Sequence, residues 1–334
     1  MKNKVIICSI VLLALFACDK KPFSVDVEMT NANGKVIYLQ KIIDNQMVNI
    51  DSTLIEQNKA HFDVKKNKDK DAYHIFIKGW KRSLPFFADN EDVIINGDFN
   101  NYNKIKVVAS KTQEMLNDFN SMFFSVNDDE QKKLLLKTIE DQRKSALSPY
   151  ILYRYKWICD LDEIRDLVNG FPSNLNSGYL GKLNEYISLL ERTEIGRPFI
   201  DFTMNNIDGQ AVSLSDIVKN NKLTMVDFWA AWCPDCRVEN PNVVAVYNDF
   251  KDKGLEIISV SLDTDKEAWL KGIKDDALSW ENHVSELDGW NCSAASEYGV
   301  AWIPQNVLID NNGKIVAKNL SGNDLRIFVE NYLK

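Results

Sequence analysis

Cysteine and histidine are scarce in this chain, which has six cysteines and three histidines among 334 residues. Four of the cysteines have no second cysteine at short range: Cys8, Cys18, Cys159 and Cys292. The histidines are equally scattered: His61, His74 and His283. A structural zinc site is therefore disfavoured, because it needs a second cysteine or histidine pair at similar spacing. A disulfide scaffold is excluded as well. The fold must therefore depend on the burial of hydrophobic residues, which make up 45% of the chain.

Long basic runs are also absent. Lys and Arg number 40 against 48 Asp and Glu, which gives a formal net charge of −8. The lysine-rich segment 65–70 is interrupted by Asn67 and Asp69. Nucleic acid is therefore not an expected partner.

The mostly apolar stretch 5–17, which follows Lys2 and Lys4, is too short to span a bilayer as a mature helix. It is typical of an export signal. Leu15-Phe16-Ala17-Cys18 resembles a bacterial lipobox, which implies a signal peptide at 1–17 and lipidation of Cys18. Two or more acyl chains anchor stably, since each buried methylene contributes about 0.8 kcal/mol. The alternative is a cleaved secretory signal that releases a soluble protein.

Two cysteines separated by two residues, Cys233-Pro234-Asp235-Cys236, follow an apolar run that predicts a strand at 224–229. A turn after such a strand places Cys233 in the first turn of a helix, where free backbone N–H groups favour the thiolate. Cys236 then lies on the same helix face and can resolve a mixed disulfide. The pattern predicts a redox dithiol, with half of a zinc site or a pair of core thiols as the alternatives.

Three regions follow the signal segment. Residues 18–110 contain short alternating runs separated by turns such as Asn33-Gly34, which predict a small antiparallel β sandwich or barrel. In residues 111–193, apolar residues recur at spacings of three and four positions. This spacing predicts helices, with interruptions near Pro149 and at Phe171-Pro172.

An aromatic patch lies within the helical region: Tyr150, Tyr153, Tyr155 and Trp157. Core packing is the favoured interpretation of this patch, and a partner surface is the alternative.

Residues 194–334 form the third region. Strand, dithiol helix, strand and two helices are followed by two strands around Asn312-Gly313 and a closing helix. This order predicts an α/β domain with a central mixed sheet covered by helices on both faces.

The third region resembles the thioredoxin superfamily, and more narrowly the TlpA/ResA-type thiol-disulfide oxidoreductases of bacterial envelopes. The likeness lies in the run from Val226 to Cys233, in Pro241 five residues after Cys236, and in Ile303-Pro304. More weakly, Asp51-Ser52-Thr53 and Val107-Val108-Ala109-Ser110 are similar to an uncharacterised β-rich domain that often precedes such modules.

The resemblance implies roles for the dithiol and for Asp227. Cys233 would attack as the thiolate and Cys236 would resolve the mixed disulfide. Asp227 would lie buried beneath them with a raised pKa and accept the proton of Cys236. A surface carboxylate on the strand is the alternative for Asp227.

The resemblance also implies a substrate-binding edge. Pro304 would be cis and would present the Ile303 backbone to an incoming peptide. A trans proline in an ordinary loop is the alternative. Trp229, Trp232 and Trp302 would frame the groove, with plain core packing open for each. Cys292 is either a third redox thiol or, as we favour, a buried inert one.

The sequence departs from the family at two positions. Proline directly follows Cys233, and Asp235 comes next; its negative charge should disfavour the Cys233 thiolate and lower the reduction potential, which favours a reductant. Pro234 and Asp235 border the substrate site. Peroxidases of the related AhpC/TSA type have threonine three residues before the attacking cysteine, where this chain has Ala230.

The sequence therefore predicts an envelope thiol-disulfide oxidoreductase on the periplasmic side, lipid-anchored, with no cofactor or metal besides its own dithiol. Expected partners are exported proteins with thiols or disulfides and an upstream membrane electron donor. Relatives implied by the resemblance reduce apocytochromes or serve redox balance. The alternatives are a thiol-dependent peroxidase and a binding lipoprotein whose thioredoxin unit is structural.

Overall fold

The computed structural model describes residues 21–66 and 70–334, so the expected signal peptide and Cys18 lie outside the described residues. The chain divides into two units. Among the described residues, the first holds 21–66, 70–131, 144–147 and 174–178, and the second holds 132–143, 148–173 and 179–334.

The first unit contains eight strands in its described part. They are β1 (Phe23–Thr30), β2 (Val36–Ile43), β3 (Gln46–Leu54), β4 (Lys59–Val64), β5 (Tyr73–Ile77), β6 (Leu84–Phe86), β7 (Val93–Asp98) and β8 (Lys106–Val108). Two four-stranded sheets result, in the orders β4-β1-β7-β8 and β3-β2-β5-β6. Alternate residues of β1 are buried, so one face of that strand supplies core side chains such as Val25 and Val27.

The predicted β-rich region is present, but the expectation of an entirely antiparallel sheet was wrong at one place. β1 and β7 pair in parallel, with Val25 opposite Val93. Alternating polarity reports which face of a strand is buried and carries no information on the direction of its neighbour.

Helices fill most of the stretch between the β strands and the C-terminal sheet. They are α1 (Lys111–Phe123), α2 (Asp128–Asp141), α3 (Leu147–Arg154), α4 (Leu161–Asn169) and α5 (Gly178–Arg192). Ser110 caps α1, and Asp160 with Glu163 forms a capping box at α4. Pro149 lies in the first turn of α3, where a missing N–H costs nothing, so the break falls before it.

The C-terminal part of the second unit is a layered α/β structure. Its elements are β9 (Thr203–Asn205), β10 (Ala211–Ser213), α6 (Leu214–Asn220), β11 (Leu223–Trp229), α7 (Pro234–Phe250), β12 (Leu255–Ser261), α8 (Lys266–Asp275), β13 (Asn282–Ser285), α9 (Ser293–Glu297), β14 (Gln305–Asp310), β15 (Ile315–Lys318) and α10 (Gly322–Tyr332). The five-stranded sheet has the order β13-β12-β11-β14-β15. β11 runs parallel to β12 and antiparallel to β14, which confirms the predicted mixed sheet.

Every residue of the central strand β11 is buried. Successive side chains of β11 point to opposite faces of the sheet. The Phe228 ring lies 5.7 Å from the ring of Tyr298, the residue that follows α9 in the chain, whereas Trp229 lies against Gly272 of α8. A Cβ atom at Gly272 would come within 2.7 Å of the Ala231 Cβ, so only glycine permits this approach. Burial on both faces explains the continuous apolar run before the dithiol.

Four short elements of this region were not predicted: β9, β10, α6 and β13. The three strands have only three or four residues and α6 has seven, which is too few to show a clear period, and tertiary pairing rather than local pattern creates the strands. Within residues 21–66 and 70–334, we find no helix with the length and apolar character that crossing a bilayer requires.

Candidate active site

Cys233 and Cys236 are joined by a disulfide at the start of α7, with their Cα atoms 5.3 Å apart. Cys233 is the N-cap residue, and its Sγ accepts a hydrogen bond from the backbone N–H of Cys236 at 3.1 Å. Cys233 keeps 4% of its surface exposed and Cys236 none. An incoming group therefore reaches Cys233 first, as an attacking sulfur requires.

Three hydrogen bonds hold the loop that precedes the dithiol. Asp263 accepts from the Ala231 N–H at 3.0 Å, and the Arg237 guanidinium donates to the Ala231 carbonyl at 3.2 Å. The Trp232 indole N–H donates to the Leu262 carbonyl at 3.2 Å. Because both polar groups of Ala231 are bonded, the approach of the chain to Cys233 is set by side chains from outside the loop.

The Ile303-Pro304 peptide bond is cis and lies beside the dithiol. The carbonyl oxygen of Ile303 is 3.7 Å from the Cys233 Sγ. The structure thus brings together two segments that are 70 residues apart in the chain. Pro304 has no N–H, so only the carbonyl of Ile303 faces the sulfur from this bond.

Asp227 is buried in the central strand and has unusual electrostatics. The Ser259 hydroxyl donates to its carboxylate at 2.8 Å, and the Trp280 indole N–H donates to the Ser259 Oγ at 3.0 Å. Burial raises the pKa of Asp227 to about 7; the Ser259 hydrogen bond opposes this rise, and the charge of Glu239 adds to it. Glu239 lies on α7 three residues after Cys236, so a charge on the dithiol helix contributes to the raised pKa of Asp227.

The three tryptophans predicted to frame the site differ in exposure. Trp232 is 52% exposed and Trp302 is 38% exposed, whereas Trp229 is fully buried in the core and cannot contact a partner. Sequence reasoning overlooked Trp290, which is half-exposed and lies with its ring 6.3 Å from that of Trp232. No local signal in the sequence indicates this position, because packing between distant segments decides whether a tryptophan is exposed.

Pro234 and Asp235 are both exposed in the first turn of α7, next to Cys233. The guanidinium of Arg237 forms an ion pair with Asp276 of the segment after α8. The exposed side of the dithiol is therefore bordered by the Asp235 carboxylate at the start of the helix and by the Arg237 guanidinium, which is paired with Asp276.

The two other described cysteines have environments that suppress reactivity. Burial raises the pKa of the Cys159 thiol to about 11, and Cys292 is buried with a raised pKa for the same reason. A thiol that stays protonated at neutral pH is a poor nucleophile. The prediction that Cys292 is a buried inert thiol therefore agrees with its surroundings.

A disulfide at a helix start, faced by the carbonyl before a cis-proline and set on a mixed five-stranded sheet, defines the class of thioredoxin-like dithiol domains. Residues 195–318 match the AhpC/TSA family model. This part of the chain belongs to that family, and it is a thiol-disulfide oxidoreductase domain of the ResA and DsbE type.

Similar proteins include the thiol-disulfide oxidoreductase ResA of Bacillus cereus, which is 29% identical over 149 residues, 45% of this chain and 82% of the relative. The thiol:disulfide interchange protein DsbE of Pseudomonas aeruginosa is 27% identical over 136 residues, 41% of this chain and 72% of the relative. Among solved structures, the thioredoxin domain of a thiol-disulfide oxidoreductase from Bacteroides vulgatus is 38% identical, with a TM-score of 0.39, covering 42% of this chain and 99% of that one.

Residues 23–116 match a second family model, described as a domain of unknown function (DUF4369). The two matched segments leave residues 117–194 between them. The helices α2 to α5 therefore belong to neither matched segment.

Proposed function

We propose that this protein is a lipid-anchored thiol-disulfide oxidoreductase of the bacterial envelope that reduces disulfides of exported proteins through Cys233 and Cys236. The observation that carries the proposal is the disulfide at the start of α7 with the Ile303 carbonyl 3.7 Å from the Cys233 sulfur. The expected export signal and Cys18 support the location.

The first step begins from the reduced dithiol. The Cys233 thiolate, stabilised by the Cys236 N–H and the helix N-terminus, attacks one sulfur of the partner's cystine. A bond forms between Cys233 and that sulfur while the partner's S–S bond breaks. The partner's second sulfur leaves as a thiolate and takes a proton from water.

The second step releases the partner. Asp227 accepts the proton of Cys236, whose sulfur then attacks the Cys233 sulfur and forms the intramolecular disulfide. The partner's first sulfur leaves as a thiolate and is protonated. The partner has gained two electrons from the dithiol and two protons, one from water and one equivalent to the Cys236 proton that Asp227 returns to solvent.

A pKa of about 7 suits Asp227 to this role, because the carboxylate is present in useful amount at neutral pH yet still binds a proton well. Asp235, exposed beside Cys233, supports the reducing direction, since its charge destabilises the thiolate form of the dithiol. The resulting Cys233–Cys236 disulfide would then be reduced again by a membrane thiol-disulfide donor.

Reduction of a protein disulfide by the purified chain tests the activity. The wild type should reduce insulin, and Cys233→Ser should fall to the uncatalysed background. Cys292→Ser is the matched control, because it alters a buried thiol outside the dithiol and should leave the rate unchanged. Equal inactivity of the wild type and Cys233→Ser would contradict the proposed function and favour a binding role.

The direction and the partners need separate measurements. A reduction potential near that of the strongest periplasmic oxidants, about −120 mV, would contradict the assignment as a reductant. In cells, Cys236→Ser should accumulate mixed disulfides on Cys233 with exported proteins, because the second step is blocked.

A further inference from the structure

A groove of about 780 Å³ lies in the second unit between the helical segment and the thioredoxin-like domain. We call it the flank groove. One wall comes from Trp157, Ile158 and Cys159, before α4, and from Tyr186 of α5. Tyr298 and Trp302 belong to the opposite wall. This volume falls within the range of sites that bind small molecules or short peptide segments, about 300–1,000 Å³.

The flank groove continues directly from the redox site. Trp302 lines it and is bonded to Ile303, whose carbonyl lies 3.7 Å from the Cys233 sulfur. Neighbouring Cα atoms are about 3.8 Å apart, so the groove begins within one residue of the carbonyl that faces the Cys233 sulfur. A polypeptide whose cystine reaches Cys233 therefore places its adjoining residues at the entrance.

The lining suits an apolar or aromatic segment. Trp157 and Trp302 are 41% and 38% exposed, and Ile195 is 67% exposed. Large exposed aromatic side chains are the groups that contribute most at recognition surfaces. The sequence alternative that the aromatic patch around Trp157 is a partner surface thus agrees with where Trp157 lies.

The charges of the lining disfavour an acidic occupant. Four carboxylates line the groove against two lysines: Asp160, Asp162, Glu163 and Glu194 against Lys132 and Lys318. Lys132 is paired with Glu163 at 2.7 Å, and the Lys318 ammonium donates to the Thr193 hydroxyl at 3.0 Å. Arg165, which is outside the lining, pairs with Asp162 and Glu194, and a small excess of acid remains.

The helical wall is held in place before any partner arrives. The capping box of Asp160 and Glu163 secures the start of α4, and Arg165 joins α4 to Glu191 of α5 at 3.1 Å. The thioredoxin-like domain meets this wall at Gly299, where an added Cβ would lie 2.9 Å from Leu190. Such preorganisation lowers the entropic cost of binding.

We propose that the flank groove binds the stretch of the partner polypeptide next to its cystine, as an extended segment with an apolar or aromatic side chain between Trp157 and Trp302. The proposal rests on the proposed function. It assigns the recognition of this partner to residues 157–194, which lie outside both matched family segments, together with Ile195 at the border, so the selectivity of this chain does not reside in the dithiol domain alone.

Trp157→Ala in the full chain tests the proposal with two substrates. One is a disulfide peptide with phenylalanine and lysine beside its cysteine, and the other is glutathione disulfide, whose flanking glycine and glutamate offer no apolar side chain and add carboxylates that the acidic lining disfavours. The KM for the peptide should rise about tenfold. The kcat for the peptide, the rate with glutathione disulfide and the reduction potential should stay within about twofold.

Two further variants separate recognition from structural damage. Tyr332→Ala removes an aromatic side chain that is equally exposed, 40%, and lies outside the groove, so it should leave all four values unchanged. Ile195→Ser alters an exposed lining residue with little cost to folding and should raise the peptide KM severalfold. Trp157→Phe should restore most of the affinity.

The possible contrary results are distinct. An unchanged peptide KM in both Trp157→Ala and Ile195→Ser, or an equal loss with both substrates, would overturn the proposal. So would a change in sedimentation of Trp157→Ala without a change in KM, since the groove would then hold a second copy of the chain. A wild type inactive with both substrates would instead refute the proposed function.

Discussion

Two buried aspartates, Asp71 of the first unit and Asp227 of the second, are held in different ways. Asp71 in the first unit is 3% exposed and accepts hydrogen bonds from the Ser177 hydroxyl at 2.9 Å and the Gly178 N–H at 2.6 Å. Asp227 in the second unit is 4% exposed and accepts from the Ser259 hydroxyl. The first joins segments more than 100 residues apart, whereas the second lies inside a central strand.

The difference shows how the same side chain serves structure or chemistry. A carboxylate that accepts a backbone N–H and a hydroxyl contributes to folding, because charge-assisted hydrogen bonds are strong and losing them leaves buried donors unpaired. A carboxylate that burial keeps near its pKa at neutral pH can exchange a proton. We therefore expect substitutions at the two positions to affect different measurements.

Asp227→Asn should have the largest effect, on activity. Asparagine keeps the size of the side chain but cannot accept a proton from Cys236, so the release of the mixed disulfide should slow roughly 10²-fold. In the wild type the rate should rise with pH up to about 7, as Asp227 ionises, and this rise should vanish in the variant. Stopped-flow tryptophan fluorescence would follow the step. An unchanged pH profile would contradict the proton-transfer role.

Asp227→Asn also tests how the stability of the protein depends on pH. The expected trend is opposite to that of a carboxylate whose pKa is lowered on folding. The folded protein holds the Asp227 proton up to about pH 7, while the unfolded chain releases it near 3.8. Wild-type stability should therefore fall as pH rises from about 4 to about 7, relative to Asp227→Asn. Urea denaturation at pH 5 and pH 8 measures this difference, and a constant difference would refute the raised pKa.

Asp71→Ala should reduce stability and spare the chemistry. Two donors lose a buried charged acceptor, which should cost about 2 kcal/mol in the free energy of unfolding of the first unit. The rate of thiol-disulfide exchange per folded molecule should not change. Asp51→Ala, at an exposed strand position, is the control and should shift the denaturation midpoint little. A loss of activity as large as that of Asp227→Asn would erase the contrast between the two aspartates.

Ser259→Ala should have the smallest effect and should sharpen the contrast. Removing the hydroxyl removes the hydrogen bond that lowers the pKa of Asp227, so that pKa should rise further above its ordinary value. The exchange rate at pH 7 should drop about threefold and recover at higher pH. Ser259→Thr keeps the hydroxyl and should behave as the wild type.

Ser259→Ala also leaves the buried Trp280 N–H without its acceptor, which should lower stability but places no new charge near Asp227. Burial lowers the pKa of His283, which stacks on Trp280, to about 4, so this ring stays neutral across the tested range. Glu239 raises the pKa of Asp227 in both variants alike. A pH profile of Ser259→Ala identical to the wild type would exclude Ser259 as a tuning group.

The site was predictable where its residues are close in the chain or follow a motif. Cys233 and Cys236 are three apart on a helix, and any helix at this position places them on one face. The β11 run before them is apolar because the strand is buried on both faces, and this pattern predicted the strand and its end correctly. Ile303-Pro304 was indicated by family resemblance rather than by local physics.

The rest of the surroundings depends on packing between distant segments. Ser259, Trp280 and Trp290 carry no local signal, since a serine in a strand or a tryptophan in a turn occurs in many contexts. Trp229 and Trp232 differ by three residues, yet one is core and the other is half-exposed, because the strand ends between them.

The amino-acid sequence alone determined that a dithiol begins a helix after a buried strand, since neighbouring residues along the chain impose that geometry through the helix repeat. Only the tertiary structure decided which groups surround the sulfur and the buried acid: the Ile303 carbonyl, the Ser259 hydroxyl and the wall containing Trp157. The physical reason is that these contacts join residues 32 or more positions apart, and packing of the whole core sets such distances rather than local backbone preference.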